Sequence, residues 1–421
     1  MHILFLSHYF PPEVNAPASR TYEHARRWVA AGHRVTVLTC VPNHPNGVPY
    51  PGYRNRPWQW EERDGVRILR VGTYLGPNKG FWRRTANYLS YLFSAVLFCP
   101  LVRDVDVVVS TSPQFFCGMA GFFVARLKRL PWVLEIRDLW PESIIAVGAL
   151  THRRIIGLLE AVESFLYRKA DHIVSVTHSF TTHLKERGAR PDRITVITNG
   201  ADLARYQPME KENGVRSSLK LHGKFVASYI GTHGMAHGLD VILDAARLIR
   251  QRKDMVFLLV GDGAERERLL ARKEEEGLDN VIMLGQQPKE TMPQFLAASD
   301  VCLVLLKKKD LFRSVIPSKI FEAMAMERPV VLGVEGESRR IVESAGCGVA
   351  IEPESAEELT GCLLRLAAEP ETGQQMGRRG RRSVKRQYNR DVQARCYLET
   401  LAKTIQRSQQ GTKAQRPGSS V

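Results

Sequence analysis

Short unbroken apolar runs alternate with longer stretches of helical spacing along most of this chain. Residues 3–7 are continuously apolar, residues 8–18 form a proline-rich loop, and residues 19–31 put Tyr22, Ala25, Trp28 and Val29 on one helical face. Gly32 suits a helix stop, and residues 35–38 read as a second buried strand. A strand, a helix and a strand in that order close by a right-handed crossover, which makes the strands parallel neighbours. The alternation continues with strands over 105–111, 132–136, 172–176 and 194–197 and helices over 114–128 and 155–168. A second set follows, with strands over 226–230, 256–260, 281–284, 301–306 and 330–332 and helices over 239–250, 266–275 and 292–298. Such a repeated β-α order predicts a doubly wound parallel sheet in each half. The halves share this architecture without a detectable sequence repeat. Residues 1–203 with a terminal helix at 388–406 are expected as one domain and residues 204–387 as the other. The connection is placed at 200–222. The polar stretch 408–421 reads as a disordered tail.

Two segments break the rhythm. Residues 41–60, VPNHPNGVPYPGYRNRPWQW, form a long irregular insert rich in proline, glycine and aromatics. It either shapes a pocket for an acceptor or packs its own aromatics. Residues 79–102 join Lys79, Arg83 and Arg84 to an uncharged apolar run at 88–101. That run is about 14 residues, short of the ~20 needed to span a bilayer. A basic end on an apolar helix suits docking on an anionic leaflet; burial in the core is the alternative.

Composition narrows the classes. At 421 residues the chain is long for one core and right for two domains. Its hydrophobic fraction of 44% and charged fraction of 25% are those of a globular protein. A net charge of +16 favours anionic partners such as phosphates, nucleic acid or an acidic membrane. The seven cysteines form no CxxC pair, which argues against a zinc site or a disulfide framework and fits a reducing cytosol. The first residues, MHILFLSHYFPPE, lack a basic leader and read as a strand, not a signal peptide. No nucleic-acid recognition signature accompanies the charge, so nucleic acid is not expected as a partner.

The chemistry concentrates at residues 313–332, RSVIPSKIFEAMAMERPVVL. Ile316 precedes Pro317 and is held out of helix. Ser318 is placed to cap a helix running from Lys319 through Met324. Lys319 and Glu322 share one face of its first turn. A lysine beside free N–H groups suits a phosphate, and a carboxylate one turn on can accept hydrogen bonds from sugar hydroxyls. The plain alternative is a surface helix with an ordinary Lys/Glu pair. Other candidates lie where strands end. They are the loop after the first strand, residues 8–18, and the 231–238 loop with Gly231, Thr232 and His237. Arg137 and Asp138 follow another strand. Asp104-Val105-Asp106 has the form of a metal-binding triplet but opens a strand, and no metal site is expected.

The run PSKIFEAMA followed by RPVV resembles the donor-site motif of GT-B glycosyltransferases, specifically retaining family 4 and its bacterial surface-polysaccharide transferases of the L-fucosamine and colanic-acid type. The resemblance covers roughly residues 1–406. It implies two Rossmann-like domains facing a central cleft, with the C-terminal helix returning to the N-terminal domain. It implies a nucleotide-sugar donor, a UDP-sugar, and no cofactor or metal. Glu322 would hold the ribose, and Arg313, Ser314, Ile316, Pro317, Ser318 and Lys319 would line the donor site. The family usually has a second Glu where this chain has Ser314, and a His where it has Arg137. It often has Arg and Lys where Thr232 and His237 stand, and a Gly-Gly pair near Asn15-Ala16; Gly261 and Asp262 resemble its nucleotide-side loop, and the Asn-Gly turn at Asn199 resembles the exit from its first domain. Arg137, Asp138, Lys319 and Glu322 are the residues expected to act in catalysis.

The expected reaction moves an N-acetylated amino sugar or hexose, with retention, to a lipid-diphosphate-linked saccharide. The expected place is the cytoplasm, peripheral on the inner face of the plasma membrane. Two other readings use the same residues differently. A UDP-sugar 2-epimerase shares the GT-B architecture and needs no acceptor. A basic membrane or nucleic-acid adaptor would need no nucleotide-sugar at all.

Overall fold

The computed structural model describes residues 1–13, 15–44, 46–76, 81–112, 115–142, 145 and 152–414. The chain forms two units, one of residues 1–198 and 391–421, the other of residues 199–390.

The first unit holds strands β1 (His2–Leu6), β2 (Arg34–Cys40), β3 (Trp58–Arg63), β4 (Val66–Val71), β5 (Val107–Thr111), β6 (Trp132–Ile136), β7 (His172–Ser175) and β8 (Ile194–Val196). They lie in the order β3-β4-β2-β1-β5-β6-β7-β8. Every pairing is parallel except the β3–β4 hairpin. β1, β5 and β6 are buried along their whole length, as strands covered on both faces must be. The order reverses between β1 and β5, so the loops after these strands border the natural ligand crevice of the sheet.

The β3–β4 hairpin is an addition to the sequence reading. Trp58–Trp60 was expected within an irregular insert; it starts an edge strand instead. The turn is Asp64-Gly65, both at positive φ, the backbone a two-residue hairpin requires. The rest of the insert is pinned by Glu13, whose buried carboxylate accepts the N–H groups of Asn43 and His44, each at 3.0 Å. The first helix, Ala16–Ala30, begins earlier than its apolar spacing suggests. Asn15 caps it by accepting from Ala18 N at 2.9 Å, and the first turn tolerates Pro17.

The last helix, Arg390–Ala414, packs into this unit. Tyr397 and Leu401 are buried there, and Trp28 Nε1 donates to Ala394 O at 3.1 Å. The helix continues through residues 408–414, which were expected in a disordered tail; residues 415–421 lie outside the described residues.

The second unit holds β9 (Phe225–Ile230), β10 (Met255–Val260), β11 (Val281–Leu284), β12 (Val301–Leu305), β13 (Val330–Gly333) and β14 (Gly348–Ala350). All are parallel, in the order β11-β10-β9-β12-β13-β14. This is the doubly wound order with its reversal between β9 and β12. The stretch expected as a linker contains a short helix, Gly214–Ser218, held by the Asn213 cap. Its buried Arg216 pairs with Asp300 at 2.6 Å and docks it on the sheet.

Candidate functional site

In the second unit the site forms where β9, β10 and β12 end. β9 runs into Gly231, whose N–H bonds Val260 O at 2.9 Å, and β10 runs into Gly261. The two turns touch main chain to main chain. A Cβ on Gly261 would stand 1.9 Å from Gly231 O, and one on Gly263 would stand 2.5 Å from His233 O. All three glycines have positive φ. No side chain fits at Gly261 or Gly263, and the contact sets the height of the 231–238 loop. His233 N donates to Asp262 O at 2.8 Å, and Lys307 N donates to Ala236 O at 2.9 Å, so β10 and β12 both clamp this loop.

Lys319 reaches into the same place from the helix Lys319–Ala325. Its stem is partly exposed, but its Nζ is sealed from solvent and has no hydrogen-bond partner. A Cβ on Gly231 would stand 2.7 Å from that Nζ. The Tyr229 ring lies beneath it, 3.7 Å from Nζ to the centroid. Burial pushes the ammonium down to about 7, opposed by the nearby Glu322 carboxylate. The Lys/Glu surface pair that the spacing allows does not form; no ion pair joins Lys319 to Glu322. Glu322 lies instead beside the buried Tyr206. Burial, and then that carboxylate, push the Tyr206 phenol up.

Ser318 does not cap this helix. Its backbone is already helical and its side chain makes no capping bond. The helix opens with tight turns, Ile320 N to Pro317 O and Phe321 N to Ser318 O, both at 3.1 Å. With 7 residues it carries a modest dipole. The local positive charge therefore rests mainly on Lys319.

His237, in the loop, is pushed down to about 4 by burial and by the Lys319 charge, so it is neutral near pH 7 and supplies no cation. His233 is fully buried with neither ring nitrogen bonded, and burial with the charges of Arg266 and Lys319 pushes it down to about 4. Arg313 points to solvent beside Asp310 and Glu335. Ser314 bonds Leu311 O at 3.0 Å, and Ile316 is buried in the core. The structure thus gathers Gly231, Thr232, His237, Gly261, Asp262, Lys319 and Glu322, with Arg313 outside that group. Asn199 opens this unit. Sequence reasoning does not single out Tyr229, Tyr206 or His233. The only local signal for any of them is a histidine between glycines after a strand.

Asn15, Ala16, Arg137 and Asp138 belong to the first unit. Asn15 is engaged as a helix cap, its Nδ2 buried without a partner, and Ala16 is exposed. Arg137 and Asp138 follow β6 and both donate main-chain N–H groups to Ser112 Oγ, at 2.6 and 3.3 Å. The Arg137 guanidinium is buried, with Nε and Nη1 unbonded. Burial lowers it to about 10. Glu135 is close but already taken, by Arg20 at 2.9 Å and by the Thr111 hydroxyl at 2.7 Å. At the end of β1, His8 is packed edge-on by Tyr9, Tyr88 and Tyr91, and burial pushes it down to about 3. Among the described residues, no group of three or more His, Cys, Asp or Glu is placed to hold a metal ion.

Two doubly wound sheets, the second with glycine turns at its strand ends, have the architecture of GT-B glycosyltransferases. Residues 15–200 match the family described as glycosyl transferase 4-like domain, and residues 210–383 match glycosyl transferases group 1. The chain belongs to this family of glycosyltransferases, whose members include surface-polysaccharide enzymes. It is 24% identical to the putative colanic acid biosynthesis glycosyl transferase WcaI of Escherichia coli, over 88% of this chain and 93% of that protein. Among solved structures it is similar to sucrose-phosphate synthase from Thermosynechococcus elongatus (TM-score 0.72, 19% identity, 96% and 98% of the two chains). It is also similar to Anabaena HepE in complex with UDP and glucose (TM-score 0.71, 17% identity, 95% and 99%).

Proposed function

We propose that this glycosyltransferase moves an N-acetylated amino sugar or hexose, with retention, from a UDP-sugar to a lipid-diphosphate-linked saccharide in surface-polysaccharide or O-antigen assembly. Lys319 carries the reading. A sealed ammonium without a hydrogen bond is costly to fold around, and an anion that arrives beside it removes that cost. Breaking the sugar–phosphate bond puts negative charge on the departing diphosphate. A fixed donor placed at such a charge is commonly worth about 3 kcal/mol in the transition state. Glu322, one turn on, is assigned to the ribose hydroxyls. The charge opposite the leaving group is assigned to protein groups, so removal of metals by EDTA is expected to leave transfer intact.

The relative named for colanic acid biosynthesis supports a surface-polysaccharide role, and the HepE complex supports UDP. The lipid-linked acceptor is supported by the helix Phe81–Phe98. Its Tyr91, Leu92 and Ala95 lie in the core, while Phe93 and Leu97 are 68% and 69% exposed one turn apart. The segment is both a core helix and an outward apolar stripe, which suits peripheral docking on the inner leaflet. Arg83 near its start is exposed; Lys79 lies outside the described residues. No helix among the described residues is long and apolar enough to cross a membrane.

The test is calorimetric titration with UDP, ADP and GDP. Incubation with a panel of UDP-sugars and isolated lipid-linked saccharide follows, read by mass spectrometry and by anomeric NMR of the product. Preference for UDP and mass gain on the lipid support the proposal. Release of an epimer from UDP-HexNAc without acceptor would overturn it in favour of an epimerase.

A further inference from the structure

At the amino ends of β6, β7 and β8, on the edge of the sheet opposite to Arg137 and Asp138, lies a cavity of about 840 Å³. Its walls carry Arg126, Arg129, Lys169, Arg193 and Arg407. Among the described residues none of these five forms an ion pair with a carboxylate, and Arg407 Nη1 donates only to a main-chain oxygen, Asp192 O, at 3.3 Å. Asp171 also faces the cavity, but one of its oxygens is used by Trp132 N at 2.9 Å. The excess positive charge is felt nearby: burial lowers His172 to about 4, with the charges of Arg407 and Arg193 adding to the effect.

The apolar part of the wall connects to the outer surface. Phe122 lines the cavity and touches Phe123 and Phe165, at centroid distances of 5.4 and 5.1 Å. Lys169 Nζ lies 5.9 Å from the Phe165 ring. Phe123 and Leu127, on the helix Phe115–Lys128 that supplies Phe122 and Arg126, are exposed. That helix packs against the helix Phe81–Phe98, and Lys128 Nζ holds Val102 O at 2.6 Å. Phe93 and Leu97 on that neighbouring helix, and Leu101 just after it, are exposed as well. Arg129 itself sits at φ +55, a left-handed helix end where glycine is unstrained.

We propose that this cavity takes the phosphate headgroup of an acidic phospholipid while the neighbouring Phe123 and Leu127 enter the leaflet. A cluster of unpaired cations beside exposed aromatic and aliphatic side chains matches an anionic amphiphile; a soluble polyanion would leave the apolar surface without a partner. The site deepens the membrane part of the proposed function and rests on that reading. It would fix which pole of the first unit faces the lipid.

The test is flotation of the full chain with vesicles of phosphatidylcholine alone or mixed with about one third phosphatidylglycerol. The charge removals are Arg129→Gly with Arg193→Gln, compared with Arg153→Gln and Arg154→Gln at the far end of the helix Arg153–Lys169. Arg129→Gly relieves the left-handed backbone, so the first pair is expected to fold. Anionic-vesicle binding should weaken about fivefold per cavity charge, roughly 25-fold for the pair, and less than about twofold for the control pair. Transfer to a water-soluble acceptor should stay at the wild-type rate in both, which separates this site from the transfer reaction. Equal losses in the two pairs would mean diffuse charge and overturn the cavity while leaving membrane docking in place. Wild-type protein that floats with neither vesicle would overturn both. Binding to inorganic polyphosphate without vesicle binding would replace the lipid by a soluble polyanion.

Discussion

The Lys319 ammonium stands 3.7 Å from the centre of the Tyr229 ring and has no hydrogen-bond partner. An aromatic face compensates a desolvated cation only in part, by about 2 kcal/mol. Gly231 lies so near that a Cβ there would stand 2.7 Å from Nζ and the ammonium would have to move. The free protein therefore keeps a cation in a place that favours its neutral form, and an oxyanion reverses that preference.

The stability consequence has a definite sign. The folded pKa of Lys319, about 7, lies below the roughly 10.4 of an exposed lysine. Between those values the unfolded chain holds more protons, so this group makes stability rise with pH from about 7 to about 10. Lys319→Met is expected to melt at or above the wild-type temperature at pH 7, with the gap closing towards pH 10. Its UDP affinity should fall by about 1.5–3 kcal/mol. For the wild type at pH 8, UDP binding should take up protons, seen as a buffer-dependent calorimetric enthalpy. A lower melting temperature for Lys319→Met would show that the lysine stabilises the fold instead of waiting for a ligand.

Glu322 and Tyr206 are neighbours, and the carboxylate adds to the effect of burial in pushing the phenol up. Glu322→Ala should weaken UDP binding by about 1.5–3 kcal/mol and also leave a gap beside the buried Tyr206. Glu322→Gln fills the same space beside Tyr206 without the charge and should recover stability while leaving the affinity loss largely in place. Titration calorimetry and thermal melts on the same three proteins separate the two effects.

Much of this was legible from the chain, and what was not has physical reasons. Fully buried parallel strands read as continuous apolar runs, so β10 and β12 fall within a residue of where the pattern places them. The β3–β4 hairpin hides because an edge strand such as WQWEER is half exposed and its pattern is weak, although Asp64-Gly65 is a hairpin signal. Ser318 looks like a cap because the residue types are right; the tight opening turn of the helix leaves no N–H for it. Lys319 and Glu322 are readable as types at a spacing. Their partners Tyr229 and Tyr206 come from far along the chain, and no local rule brings them in.

The glycine contact offers a structural test. Gly261→Ala places a Cβ 1.9 Å from Gly231 O at φ +147. Backbone strain of this kind costs about 1–3 kcal/mol, and steric displacement of the loop adds to it. Both thermal stability and UDP affinity should fall. Gly277→Ala is the control: it also has positive φ, but nothing lies within 4 Å, so only stability should move.

The outward stripe on the helix Phe81–Phe98 makes a separate prediction. Phe93→Asp with Leu97→Asp changes exposed side chains and should alter stability by no more than about 0.5 kcal/mol per site. Co-sedimentation with anionic vesicles should drop sharply, while transfer to a soluble acceptor should be unchanged. A large loss of folding would show that the stripe packs against protein.

Arg137 is the sharpest case in the first unit. Its Nε and Nη1 are buried and unbonded, while Glu135, whose charge acts on it, is satisfied by Arg20 and Thr111 without it. Removing Arg137 therefore strands no partner, in contrast to breaking a buried ion pair. Arg137→Met retains most of the volume and removes an uncompensated charge, so the free protein should be as stable as wild type or more so. If Arg137 serves substrate, transfer should collapse in the same variant, through kcat if it meets charge that develops during reaction and through KM if it only binds. Arg137→His, the residue usual in the family that this site resembles, should keep part of the activity. A destabilised Arg137→Met with normal transfer would assign the guanidinium to the fold and remove it from the catalytic group.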